Sequence, residues 1–126
     1  MKRIRHPDRV GLHLRVVLGA EIAMGPCKAD LLDGIAATGS IAAAGRRMGM
    51  SYKRAWTLVE SMNTLFAEPL VDAAKGGAGG GGAALTPLGT RMLAAYRRLE
   101  AAAAERGAAE LAEMRQALRA RAAKQG

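Results

Sequence analysis

A mostly α fold with a small β-sheet, built as a winged helix-turn-helix with a long C-terminal helix, is predicted by three features of the 126-residue sequence. Half the residues are apolar but only 3% are aromatic, a composition suited to helices packed through small and aliphatic side chains. Two helical patterns flank a tight glycine turn around Gly49, and a glycine-tipped pair of strand-like pieces follows before a long alanine-rich segment. A chain of this length supports one modest domain with an extension. The expected division is residues 1–86 as the domain, with a helix at about 51–66 and a wing at about 69–86, and residues 87–126 as a C-terminal helix bent at Gly107.

Taken in order, Leu12, Leu14, Val16 and Leu18 alternate with His13, Arg15 and Val17, the two-residue period of one half-buried strand. Gly25 and Pro26 open a helix in which Leu31, Leu32 and Ile35 share a face, and Gly39 suits its end. Ser40 is an N-cap for a short helix over 41–48, Gly49 makes a sharp turn, and Ser51 caps the next helix. There Ala55, Leu58, Val59, Met62, Leu65 and Phe66 form an inward stripe, while Lys53, Thr57, Glu60 and Thr64 lie opposite. Residues 69–72 and 83–86 read as short strands around a glycine run. Thr86 and Pro87 then cap and start a helix that extends to about Lys124.

Nineteen Lys and Arg against eleven Asp and Glu give a net charge of +8, which favours polyanionic partners. A lone Cys27 cannot form an internal disulfide and fits a reducing cytoplasm. The basic N-terminus lacks the apolar run of a signal peptide, and no stretch approaches the roughly 18 apolar residues of a spanning helix, so a soluble cytoplasmic protein without a membrane partner is expected. No nucleophile and base, carboxylate pair or metal cluster appears at workable spacing, so no enzyme, cofactor or metal site is expected.

In a winged helix-turn-helix the third helix enters the major groove and the hairpin reaches the flanking backbone. That groove is about 12 Å wide, room for one helix, so donors belong near the start of the helix on the face away from the core. Ser51, Tyr52, Lys53, Arg54 and Thr57 meet this requirement. Lys53 and Arg54 can donate to guanine edges or to phosphates, and spacing does not separate the two. Arg46 and Arg47 suit either phosphate anchoring or the negative end of their own helix dipole. With Ser40, and with Lys75, Gly76 and Gly77 on the wing, these residues form the candidate DNA-binding set. Trp56 sits at the edge of the stripe, where packing is favoured over base stacking.

The stretch from Thr38 to Trp56, and above all the SYKRAW segment that begins at Ser51, resembles the N-terminal DNA-binding domain of the molybdate-responsive ModE regulators. The likeness continues through Met62 and Asn63, through Glu68 to Val71, and through the glycine run to Gly89, covering roughly residues 12–100. The resemblance implies a winged helix-turn-helix that dimerises through its first and last helices, with DNA contacts at Ser51, Tyr52, Lys53, Arg54 and the wing. It covers that domain only; in the family molybdate binds in a separate C-terminal β-rich domain.

In the last helix Leu88, Met92, Tyr96 and Leu99 form one stripe and Leu111, Met114 and Leu118 resume it, the pattern of a helix that buries a seam against a partner. The expected function is sequence-specific double-stranded DNA binding by a homodimeric bacterial regulator. Two other readings are a module that pairs with another regulator and an oxyanion-responsive regulator; the small-molecule effector is unknown.

Overall fold

Gly19 turns the chain back on itself at φ 73°, a conformation that glycine adopts without the Cβ penalty. The turn joins β1 (Val16–Leu18) to β2 (Glu21–Met24), antiparallel with Val17 opposite Ile22 and Leu18 opposite Glu21. The single strand expected over 12–18 is therefore a hairpin whose first strand starts only at Val16. Its second arm, four residues long, is too short to show a period. The structure, a computed structural model, describes residues 11–73 and 82–119.

Helix α1 (Pro26–Thr38) has proline in its first turn and ends on Gly39 at φ 73°, as the local sequence predicts. Ser40 caps α2 (Ile41–Arg47) by accepting a hydrogen bond from the Ala43 N–H at 3.1 Å. Ser51 caps α3 (Tyr52–Leu65) in the same way, accepting from the Arg54 N–H at 3.1 Å. The three helices approach closely because small residues meet at the crossings. A Cβ on Gly34 would lie 2.9 Å from the Ala44 Cβ, and one on Gly45 would lie 3.0 Å from the Ala55 Cβ.

The core gathers Leu31, Leu32 and Ile35 from α1, Ile41 and Ala44 from α2, and Ala55, Val59 and Met62 from α3. Burial of each of the larger side chains contributes on the order of 1.5–3 kcal/mol. Strands β3 (Val71–Asp72) and β4 (Ala84–Leu85) pair antiparallel, Val71 opposite Leu85, and bring Leu70, Val71 and Ala83 onto the same core. The Ala83 N–H bonds the Gly39 carbonyl at 2.8 Å and so ties this pair to the end of α1. The result is a mostly α fold with, among the described residues, two small antiparallel sheets, a winged helix-turn-helix.

Helix α4 (Pro87–Arg106) closes the unit formed by residues 14–97. Tyr96, 3% exposed, buries its ring and donates its hydroxyl to the Leu14 carbonyl at 2.6 Å. Arg97 bonds Asp30 of α1 at 2.9 Å and also Asp33. The more exposed of the two pairs, to Asp33, contributes only about 0–1 kcal/mol.

Residues 98–119, with 11–13, belong to a second unit. After Gly107 the chain forms α5 (Ala108–Gln116), which has no buried residue. The helix expected to reach about Lys124 ends at Gln116, and residues 120–126 lie outside the described ones. Alanine and arginine carry no stop signal, but an exposed helix without a packed face gains little from further turns.

Lys28 of α1 is nearly buried and donates to the Ser61 hydroxyl of α3 at 3.2 Å. Burial lowers the pKa of its ammonium, and the nearby Glu21 carboxylate offsets part of that shift. The native state therefore releases this proton at a lower pH than the unfolded chain does, and stability rises with pH across the interval up to the unfolded value of about 10.4. In urea titrations from pH 7 to 10.5, wild type should gain stability relative to Lys28→Met as that interval is crossed. A constant or shrinking difference would contradict the burial effect.

Candidate nucleic-acid interface

Both ends of the turn between α2 and α3 are cationic and exposed. Arg46 and Arg47 occupy the last turn of α2, where the carbonyl end of the helix favours positive charge. Gly49 at φ 70° then redirects the chain, and the Met50 N–H bonds the Gly45 carbonyl at 3.0 Å. Ser51 starts α3 with Tyr52, Lys53 and Arg54 all exposed in its first turn.

Ala55, Val59 and Met62 are buried, and Leu58, Leu65 and Phe66 half-buried. This stripe fixes which side of α3 faces out, and Lys53, Thr57, Glu60 and Thr64 are exposed on that side. Caps and periodicity thus produce a groove-sized helix that presents a cationic start to solvent.

Two hydroxyls have defined roles. Ser51 accepts the Arg54 N–H with a lone pair, which leaves its proton to donate outward. Thr57 donates its own proton to the Lys53 carbonyl at 2.9 Å, so towards a base it offers an acceptor oxygen and a methyl group. Ser40 is half-buried at the start of α2, its Oγ engaged with Ala43. Tyr52 is 60% exposed and meets Trp56 edge to face, ring centroids 6.1 Å apart. Trp56 is half-buried against the core, in keeping with packing. Lys75, Gly76 and Gly77 lie outside the described residues.

Asn63 is a residue to which the sequence reading assigns no role of its own. Its Oδ1 accepts from the Leu70 N–H at 2.8 Å and the Val71 N–H at 3.0 Å, and its Nδ2 donates to the Val71 carbonyl at 3.0 Å. A short amide near the end of the helix, between Val59 and Phe66 on a largely apolar side, is the signal that could have marked it, because short amides seek backbone partners.

The seven residues expected at a dimer seam divide. Tyr96 is buried in the core of its own chain, and Leu88 and Met92 are half-buried against that core. The first part of the α4 stripe therefore has an intramolecular cover, and its continuation at Leu99 does not. Leu99, Met114 and Leu118 are 47%, 68% and 48% exposed, and Leu111 is half-buried. Among the described residues no group of three or more His, Cys, Asp or Glu is placed to hold a metal, and no helix is long and apolar enough to cross a membrane.

No family model matches the chain. Among curated proteins it is 52% identical over 82 residues to the molybdenum-pterin-binding protein MopB of Rhodobacter capsulatus, which covers 65% of this chain and 30% of MopB. It is 49% identical over 70 residues to the molybdenum transport protein ModE of Herbaspirillum seropedicae, covering 56% of this chain and 26% of the relative. It is also 41% identical over 83 residues to the DNA-binding transcriptional dual regulator ModE of Escherichia coli, covering 66% and 32%. The chain thus spans about 30% of the length of these relatives, which are named as regulators or as molybdenum-associated proteins rather than as enzymes. Over the N-terminal 65% or so of its length this chain is similar to proteins named as ModE regulators or molybdenum-associated proteins.

Proposed function

We propose that this chain binds double-stranded DNA in a sequence-specific manner and acts, as a cytoplasmic homodimer, in transcriptional regulation. The observation that carries the reading is the exposed cationic first turn of α3, held outward by the buried stripe of Ala55, Val59 and Met62. Lys53 and Arg54 supply the base or phosphate donors, Arg46 and Arg47 anchor the adjacent backbone, and the net charge of +8 attracts the duplex. The name of the Escherichia coli relative, a DNA-binding regulator, agrees with this assignment.

The second unit supplies the pairing surface in this reading. Leu99, Met114 and Leu118 are large apolar side chains left exposed on helical or near-helical chain, as a self-associating seam requires. Molybdenum enters only through the names of the relatives, as the element of a candidate effector.

Band-shift titration against genomic fragments tests the proposal. Bound fragments should share a palindromic site with half-sites about one helical turn apart. Affinity should fall steeply with salt, the slope of log K against log salt being about −0.9 per neutralised phosphate. Binding that ignores salt, or that selects no common site, would refute it.

A further inference from the structure

We propose that Asn63 is a positioning residue for DNA binding, fixing the wing root to the far end of α3 so that the cationic start of the helix points correctly into the groove. The proposal rests on the DNA-binding reading above. Its basis is a clamp around three consecutive residues, Pro69, Leu70 and Val71. From one side Asn63 takes the N–H groups of Leu70 and Val71 and the carbonyl of Val71, at 2.8, 3.0 and 3.0 Å. From the other, the Thr86 hydroxyl donates to the Pro69 carbonyl at 2.7 Å and the Thr86 N–H donates to the Leu70 carbonyl at 2.9 Å.

The amide serves both N–H groups through its oxygen and the carbonyl through its nitrogen; a carboxylate of the same shape lacks the donor and an aliphatic chain lacks everything. Asparagine is also a poor helix former, so its place in the last turns of α3 costs local stability and needs a non-local reason. The lever arm supplies one. Lys53 stands ten residues from Asn63, about 15 Å along the axis at roughly 1.5 Å per residue. A tilt of about 10° at the anchored end displaces the cationic end by ~2.5 Å over that length, enough to break a bidentate contact to a base edge.

The test uses a 30-base-pair duplex enriched in vitro with the wild-type chain, and a scrambled duplex of the same composition. Binding is measured for wild type, Asn63→Ala and Asn63→Asp at a temperature where circular dichroism shows all three folded. Asn63→Ala should weaken binding to the selected duplex tenfold or more and to the scrambled duplex less than threefold, so that discrimination collapses. Asn63→Asp should recover part of it, because the carboxylate still accepts both N–H groups. Amide exchange at Leu70 and Val71 in the free protein should quicken in Asn63→Ala. A folded Asn63→Ala with unchanged discrimination would overturn the positioning role and leave DNA binding standing. A wild-type chain that enriches no duplex would overturn DNA binding and this role with it.

Discussion

Replacing Gly89 by alanine should lower the melting temperature of the domain by roughly 12 °C or more, at about 4–8 °C per kcal/mol for a domain of this size. A Cβ at Gly89 would stand 2.1 Å from the carbonyl oxygen of Leu70, 2.9 Å from its carbonyl carbon and 3.2 Å from its Cα. The obstacle is backbone, so no side-chain rotation relieves it. Nor can the Leu70 segment retreat easily, since its side chain is fully buried, its N–H is held by Asn63 and its carbonyl accepts from Thr86. Relief would require lifting the first turn of α4 off the wing root, and with it the cap in which the Gly89 N–H donates to Thr86 at 2.9 Å. Ordinary overpacking costs about 1–3 kcal/mol, and a clash between two anchored backbones belongs at or beyond the top of that range. Thermal unfolding followed by circular dichroism decides; a change of a degree or two would mean that the close approach of α4 to Leu70 is not as described.

The double replacement of Lys53 and Arg54 by alanine should reduce affinity for a selected duplex about a hundredfold or more while leaving the melting temperature nearly unchanged. Each base-reading or phosphate-anchoring side chain contributes on the order of 1–3 kcal/mol, and neighbouring contacts need not add in full. Both side chains are exposed, and the helix cap uses the backbone N–H of Arg54, which alanine retains. The fold should therefore survive, surface changes of this kind lying within about 0.5 kcal/mol each. The salt slope separates the two roles. If they hold phosphates, it becomes shallower by about one per residue removed; if they read bases, discrimination between duplexes falls instead. Unchanged affinity would remove the first turn of α3 from the interface.

What the sequence disclosed and what it hid follow from the range of the interactions. Ser40, Ser51 and Thr86 cap their helices as read, because a cap is a bond to an N–H three residues away. The outward face of α3 was legible for the same reason, one helix recording its own orientation in its own periodicity. Tyr96 was not, since a stripe shows that a face is covered but not by what. Its partner Leu14 lies 82 residues away, and the ring assigned to a dimer seam belongs to the core of its own chain. Asn63 and Thr57 were obscured in a similar way. The first bonds backbone beyond the end of its helix, and the second turns its proton back into the helix, where composition gives no sign of it. The β1–β2 hairpin was read as one strand because its second arm is only four residues long.

The single tryptophan of the chain, Trp56, lies one helical turn behind Tyr52, half-buried, and its indole N–H is buried without a hydrogen-bond acceptor among the described residues. One chromophore therefore straddles the boundary between interior and contact face. Its emission is an internal gauge that shifts to the red when the interior opens to water and changes in intensity when a ligand covers the aromatic neighbour in front of it, so both events can be followed without attaching a dye.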